Sequence, residues 1–140
     1  MDGGLNAGAT VYIDRGYAFT SVPSSVAGTT YIVTANNDKQ ANQANFLSFT
    51  VSQNVTIYVA YDSRASSLPN WLASWTDTGE ILGTSDVALN LFSQSFPAGS
   101  ITLGGNAAVG AAGAGSNYSV AISGSGAAAP PSPPGNQPPR

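Results

Sequence analysis

Short stretches in which apolar and polar residues alternate recur along this chain, and this period of two restricts the fold more than any other feature. In the clearest stretch, 55–61, Val55, Ile57 and Val59 fall on one side of an extended strand and Tyr58 falls on the other. Further stretches that fit a strand are found at 10–13, 17–20, 30–34, 46–51, 87–92, 100–103 and 118–123. Whether the side that carries Tyr58 covers a second apolar surface or faces a ligand stays open.

Turn-forming residues separate these stretches, and no segment has the period of a long amphipathic helix. About eight short strands at this spacing predict an all-β fold, a β-sandwich of two antiparallel sheets. Residues 1–126 suffice for one domain of this kind. The Gly/Ala-rich segment 106–116 has little to pack, so we expect a flexible loop there. Segment 66–75 fits either one helical turn started by Pro69 or an irregular start of a strand.

The last segment of the chain, 127–140, holds six of its nine prolines and has no hydrophobic face. Proline-rich segments have few amide donors and stay extended as semi-rigid spacers. We therefore expect this segment to be a linker that tethers the domain 1–126 covalently to a further domain with catalytic function.

Charged residues are scarce, and this excludes several classes of partner. They make up 8% of the chain, against about 25% in ordinary soluble proteins, and the formal net charge is −3 with four basic residues. Nucleic acids and anionic membrane surfaces bind through clustered lysine and arginine, so neither is expected as a partner. No apolar stretch approaches the ~20 residues that span a membrane. The composition is typical of secreted bacterial domains, so we expect an extracellular module. We also expect it to be a monomer.

The residue types that catalyse most reactions are missing or isolated. The chain has no cysteine and no histidine, which excludes disulfides, thiolate zinc ligands and the commonest general base. A glycosidase needs two carboxyl groups that face each other across the bond it cleaves. Asp77 and Glu80 are close in sequence, but nothing else marks a cleft. We therefore expect a protein that is not an enzyme.

Two oxygen-rich segments, 36–38 and 77–80, raise the alternative of a structural calcium ion. Neither matches the twelve-residue calcium loop of helix–loop–helix proteins. The sequence Asn-Asn-Asp also forms turns through side-chain hydrogen bonds to its own backbone, and this interpretation is favoured. No metal or other cofactor is therefore expected.

The chain has two tryptophans, Trp71 and Trp75, whose spacing of four residues places them on the same side of a helix or of a strand. Two such indole rings can stack on the C–H groups of sugar rings in a polysaccharide. Sugar hydroxyl groups then need hydrogen-bond partners. The candidate ligand-binding residues are Trp71 and Trp75 for stacking, and Tyr61, Arg64, Asn70 and Asp77 for hydrogen bonds.

The alternative is that one or both tryptophans belong to the core, since indoles are highly buried on average. Leu68 and Leu72 lie close to Trp71 in sequence, which favours a core position for that ring. Polar residues flank Trp75, so we expect Trp75 to be exposed. A structural or adhesin-like β-sandwich with buried tryptophans and no sugar binding is the second hypothesis.

Several motifs together resemble a known family. They are VYIDR at 11–15, VAYDSR at 59–64, LPNWL at 68–72, TDTG at 76–79, FPAG at 96–99 and LGGN at 103–106. Over residues 10–123 the chain is similar to β-sandwich modules attached to secreted bacterial polysaccharide-degrading enzymes, most of all to carbohydrate-binding module family 81, which is associated with cellulases. The resemblance implies a non-catalytic module that binds polysaccharide, joined by a linker to a glycoside hydrolase.

The paired tryptophans favour a β-1,4-glucan as the polysaccharide, because that chain is flat and uncharged. Cellulose and cello-oligosaccharides are the expected ligands, and mixed-linkage glucan and xyloglucan are related candidates. An acidic polysaccharide would need basic residues, which are scarce in this chain.

Overall fold

The computed structural model describes residues 4–124, so the linker predicted at 127–140 lies outside the described residues. The described part has eight β-strands, one α-helical turn and one 3-10 helix. The strands are β1 (Phe19–Ser21), β2 (Thr30–Ile32), β3 (Leu47–Val51), β4 (Val55–Asp62), β5 (Thr76–Thr84), β6 (Leu89–Phe96), β7 (Gly99–Leu103) and β8 (Ser119–Gly124). The α-helical turn α1 spans Asn70–Ala73, and the 3-10 helix spans Asn36–Asp38. The predicted all-β class is confirmed.

Six strands form one antiparallel sheet in the order β1-β5-β6-β4-β8-β2, and β3 pairs with β7 in a separate two-stranded sheet. β4 lies inside the larger sheet, because it pairs along its full length with β6 and over most of its length with β8. Ile57, for example, lies opposite Gln94 of β6 and Ile122 of β8. The larger sheet curls, and the architecture is sandwich-like as predicted, with two sheets of unequal size.

One side of the six-stranded sheet packs against the two-stranded sheet and α1. Val55, Ile57 and Val59 of β4 belong to a buried cluster that also contains Leu103 of β7 and Leu72 of α1. We call this cluster the helix-side core. Its burial removes apolar surface from water, which is the main favourable term in folding.

The other side of the sheet packs against the N-terminal part of the chain. Ala60 and the partly buried Tyr58 of β4 belong to a second cluster, which contains Leu5, Val11 and Val26. The side of β4 that carries Tyr58 therefore covers a second apolar core, which is the first of the two alternatives. Sequence alternation left this open because it shows only that the two sides of a strand differ.

Segment 66–75 contains the single turn α1, so of the two alternatives the helical one is observed. Pro69 precedes the turn with φ −61° and ψ 148°. Its ring favours this φ, and proline at a helix start loses no hydrogen bond by lacking an N–H. A turn this short is not stable alone. Leu72, which is fully buried in the helix-side core, holds it in place.

Segment 106–116 is a loop, but it does not lack packing partners. Ala112 exchanges backbone hydrogen bonds with Ser67, and the N–H of Asn70 donates to the carbonyl oxygen of Val109 at 2.7 Å. The predicted loop is observed, and these backbone hydrogen bonds tie it to the neighbouring segment 66–70. Small side chains remove apolar contacts, but here the backbone supplies hydrogen bonds to the segment before α1 instead.

Ser119 at the start of β8 carries a buried hydroxyl group that has no hydrogen-bond partner among residues 4–124. Tyr58, Leu91 and other side chains surround it and leave no room for a water molecule. Because a buried unpaired hydroxyl is costly, we expect Ser119→Ala to leave the free energy of unfolding unchanged or to raise it by up to about 1 kcal/mol. Urea denaturation measures this, with the exposed Ser95→Ala in β6 as the matched control. A clear loss of stability specific to Ser119→Ala would contradict the prediction.

Candidate functional site

Trp75, which the sequence predicted to be exposed, is buried. It is 8% exposed and packs in the helix-side core, with its ring centroid 5.7 Å from that of Phe96 in β6. The prediction is wrong because the turn α1 lies directly on the core, so the residues at its end point towards the sheet. Polar neighbours in the sequence, such as Thr76, do not report the direction of the side chain beside them.

The two indole rings contact each other, but they do not form a flat surface. The ring centroids of Trp71 and Trp75 lie 5.9 Å apart with an angle of 81° between the planes, which is an edge-to-face contact. Trp71 is half-buried, and its centroid lies 5.4 Å from that of the buried Tyr118. Trp71 is therefore the tryptophan that keeps an accessible part. The outward-facing pair of rings expected from the sequence is not formed.

Three consecutive carbonyl groups in the loop after β7 each accept a hydrogen bond from an aromatic side chain. The pairs are the Tyr118 hydroxyl and Gly104 O at 2.8 Å, Trp71 Nε1 and Gly105 O at 3.0 Å, and the Tyr61 hydroxyl and Asn106 O at 2.6 Å. We call residues 104–106 the aromatic-bound loop. This arrangement was not predicted from the sequence, although the two adjacent glycines of the LGGN motif were a signal that backbone and rings approach closely.

Tyr61, predicted to contact a ligand, is fully buried. Burial, with a smaller effect of the charge of Asp62, raises the pKa of Tyr61 to about 12. The hydroxyl therefore stays protonated and donates to Asn106 in the aromatic-bound loop. The expectation of an accessible Tyr61 is wrong, because Tyr61 continues the inward alternation of Ile57 and Val59.

Arg64 follows β4 and binds a buried carboxylate. The Asp62 side chain is 0% exposed and accepts hydrogen bonds from Nε and Nη2 of Arg64 at 3.0 and 2.7 Å. It also accepts one from the backbone N–H of Gly115 at 2.8 Å. Burial raises the pKa of Asp62, but the hydrogen bonds from Arg64 and Gly115 outweigh burial and hold this pKa below its usual range. The Arg64 side chain is 50% exposed, so its guanidinium is paired on one edge and accessible on another.

Asn70 and Asp77, the remaining predicted hydrogen-bonding residues, are both exposed. Asn70 begins α1, and its side chain lies against Gly110. Asp77 lies in β5, and its Oδ1 accepts a hydrogen bond from the N–H of Gly79 at 3.0 Å, which is typical of a turn-forming aspartate. Trp71 and Asn70 are thus neighbours on α1, whereas the contact of Asp77 is with its own turn.

The oxygen-rich segment 36–38 forms the 3-10 helix. The Asp14 carboxylate accepts hydrogen bonds from the N–H groups of Asn36 and Asn37 at 2.7 and 2.8 Å. The side-chain oxygen of Asn36 accepts one from the N–H of Asn117 at 2.8 Å. In the part of the chain that the structure describes, no group of three or more acidic, histidine or cysteine side chains is placed to hold a metal ion. The same part contains no helix of the length and apolar character needed to cross a membrane.

Comparison with known proteins finds similarity in structure. No family model and no curated protein matches the chain. A β-glucuronidase from glycoside hydrolase family 2 aligns with 86% of this chain at a TM-score of 0.77 and 25% identity. A GH138 enzyme targeting pectin rhamnogalacturonan II aligns with 78% of this chain at a TM-score of 0.57 and 19% identity, which shows a likeness of fold alone.

The chain resembles small β-domains within large glycoside hydrolases. It spans 13% of the β-glucuronidase chain and 14% of the GH138 enzyme chain. The matches therefore cover only a small part of each hydrolase, which is consistent with a non-catalytic accessory domain.

Proposed function

We propose that this chain is a non-catalytic accessory domain of a carbohydrate-active enzyme and that it binds a neutral polysaccharide outside the cell. The observation that carries the proposal is the likeness of 86% of the chain to 13% of a family 2 β-glucuronidase. In this proposal the segment 127–140 tethers the domain to its enzyme. Such a tether raises the effective concentration of polysaccharide at the enzyme without any new contact in the active site.

The acidic side chains support a non-catalytic role. Glycoside hydrolysis needs two carboxyl groups that face each other, one of them with a raised pKa. Asp62 binds Arg64, which holds the pKa of this carboxyl low against the effect of burial. Asp77 binds its own turn, and Glu80 accepts a hydrogen bond from the Ser25 hydroxyl at 2.5 Å. These carboxylates are engaged in contacts within the fold.

The ligand that we propose first is a β-1,4-glucan, as for the cellulase-associated modules of family 81 that the motifs resemble. Trp71 supplies a partly accessible indole, with the exposed Asn70 beside it on α1. A single ring stacks on one sugar, so affinity should be lower than a two-ring surface would give. Residues 4–124 contain three cationic side chains, Arg15, Lys39 and Arg64, which disfavours an acidic polysaccharide.

Trp71→Ala is expected to weaken polysaccharide binding about tenfold, because it removes the accessible ring. Native gels that contain mixed-linkage glucan or xyloglucan, together with pull-down on cellulose, measure the loss as reduced retention. Ile13→Ala is the matched control, since Ile13 is an apolar residue that is 72% exposed. Trp71→Phe keeps a ring but loses the hydrogen bond to Gly105, so it separates stacking from any effect on the loop.

A structural or adhesin-like domain is the second candidate, and the burial of Trp75 and Tyr61 favours it. It predicts that no polysaccharide retains the wild-type protein and that tryptophan emission does not shift when cello-oligosaccharide is added. Wild-type migration that is the same with and without every polysaccharide would therefore reject binding and support this candidate.

A further inference from the structure

Three loops meet at Ser116, at the end of β4 that carries Asp62. They are the loop after β4 with Arg64, the loop before β6 with Asp86, and the loop before β8 with Ser116 itself. The hydroxyl oxygen of Ser116 lies 3.4 Å from Nη2 of Arg64 and 3.4 Å from Oδ2 of Asp86. Ser116 is 2% exposed, so it lies beneath two charged side chains that reach solvent.

Arg64 and Asp86 are held near each other without forming an ion pair. Among residues 4–124, the ion pairs closer than 4.0 Å are Arg15 with Asp14 and Arg64 with Asp62. Nε and Nη2 of Arg64 bind Asp62, whereas Nη1 donates to no acceptor in the described part of the chain. A donor and an acceptor of opposite charge are thus both accessible, with the hydroxyl of Ser116 between them.

Hydrogen bonds hold the Arg64 guanidinium and the backbone that carries Asp86. Asp62 holds Arg64 through its guanidinium and through its backbone N–H, the latter at 2.8 Å. The Thr84 hydroxyl accepts hydrogen bonds from the N–H groups of Asp86 and Val87 at 3.0 and 2.9 Å and donates to the carbonyl oxygen of Val87 at 2.6 Å. Groups that are already ordered lose little conformational entropy when a ligand binds, so even a few contacts can give measurable affinity.

The chemistry of the cluster favours a neutral hydroxyl compound. A sugar hydroxyl can accept from Arg64 and donate to Asp86, and two adjacent hydroxyls on one ring can engage both at once. Asp62, Arg64 and Asp86 together carry one net negative charge, which disfavours a carboxylate, sulfate or phosphate group at this position. A neutral polyol meets neither repulsion nor an unpaired charge.

We propose that Arg64 and Asp86 form a binding site for the vicinal hydroxyl groups of a neutral sugar ring, with the buried Ser116 as the positioning residue between them. The inference rests on the proposed function and deepens it. From the sequence, Arg64 was expected to form hydrogen bonds beside a tryptophan surface, and Asp86 was not among the candidate residues. The site takes its ligand by hydrogen bonds to the hydroxyl edge of the ring, independently of stacking on Trp71.

The decisive variant is Asp86→Asn, because Asp86 is exposed and its exchange leaves the Asp62–Arg64 pair untouched. We expect about tenfold weaker retention of the whole chain in native gels that contain a neutral polysaccharide. The gel panel comprises mixed-linkage glucan, xyloglucan, galactan and galactomannan, with polygalacturonate as the acidic probe. Arg64→Lys keeps the charge but loses the fork geometry, and we expect a similar loss. Asp38→Asn, an exposed aspartate of the 3-10 helix, is the matched control and should migrate as the wild type.

The outcomes separate this inference from the proposed function. Weakened retention of Asp86→Asn, at an unfolding midpoint like that of the wild type, supports the site, and weakened retention of Arg64→Lys adds to that support. If both variants are retained as strongly as Asp38→Asn, Arg64 and Asp86 do not form the binding site. The proposed polysaccharide binding would then still hold. If polygalacturonate is the one polysaccharide of the panel that retains the wild type, the proposal that the site binds a neutral sugar is wrong. A wild type retained by no polysaccharide overturns the proposed function and this site with it.

Discussion

Gly105→Ala is expected to destabilise the protein by roughly 3 kcal/mol or more, at the upper end of what overpacking costs. A Cβ atom at Gly105 would lie 2.6 Å from the carbonyl carbon of Ala41 and closer still to its oxygen. Both are backbone atoms, so no side chain can move aside. The two segments are also tied together, because Ala107 N–H donates to Ala41 O at 2.8 Å and Gly105 N–H donates to Gln43 O at 2.9 Å. Relief of the clash would therefore break hydrogen bonds and displace the aromatic-bound loop.

Thermal or urea unfolding of Gly105→Ala measures the effect, and Gly16→Ala is the matched control. A Cβ at Gly16 meets no atom within 4 Å, so we expect a change within about 0.5 kcal/mol. The destabilisation caused by Gly104→Ala should lie between those two values, because its Cβ would meet the side chain of Trp71 and not backbone atoms. Equal stability of Gly105→Ala and Gly16→Ala would show that the aromatic-bound loop does not need a glycine.

Asp62→Ala is expected to lower the free energy of unfolding by about 3 kcal/mol, because removing one partner of a buried ion pair leaves the others unpaired. The N–H groups of Arg64 and Gly115 lose their acceptor, and the Arg64 guanidinium loses its only carboxylate partner within residues 4–124. Breaking a buried ion pair costs about 3 to 5 kcal/mol. We expect a value near the lower end because Arg64 is half-exposed, so water can solvate its remaining charge. Asp38→Ala, at an exposed aspartate, is the control and should change stability little.

The same carboxylate predicts how stability depends on pH. Hydrogen bonds from Arg64 outweigh burial and lower the pKa of Asp62 in the folded protein. Its contribution is therefore fully present above the unfolded pKa of about 3.9 and is lost as pH falls through the folded pKa. Urea unfolding between about pH 5 and pH 2 should show a steeper loss in the wild type than in Asp62→Asn, which cannot titrate. If the stability of the wild type and that of Asp62→Asn fall in parallel as pH is lowered, the ionised Asp62–Arg64 pair does not stabilise the fold as proposed.

The sequence contained more information on the interior than on the surface. Alternation in β4 identified Val55, Ile57 and Val59 as one side, and its continuation places Tyr61 on that same side. The assignment of Tyr61 to a ligand site went against this pattern, and the structure follows the pattern. Pro69 allowed a helical turn but did not exclude an irregular start of a strand, and the structure has the turn, which a fixed φ and a missing N–H suit.

The direction of the tryptophans could not be obtained in this way. The spacing of Trp71 and Trp75 predicted only that both rings lie on the same side of the segment, and in the structure they contact each other edge to face. Whether that side faces solvent depends on what lies against α1, which here is the core formed with β6 and β7. Flanking residues such as Thr76 carry no information about such a contact, so the exposure predicted for Trp75 was wrong.

The sequence by itself determined that this chain is all-β and built on strands with two distinct sides, because side-chain direction along a strand is a local property. Only the tertiary structure decided which sides are buried, which ring stays accessible, and that Arg64 and Asp86 flank the same serine. Those facts depend on contacts between residues far apart in the chain, such as Asp62 and Gly115, 53 positions apart. Distant contacts form only when the sheets pack, so no local pattern records them.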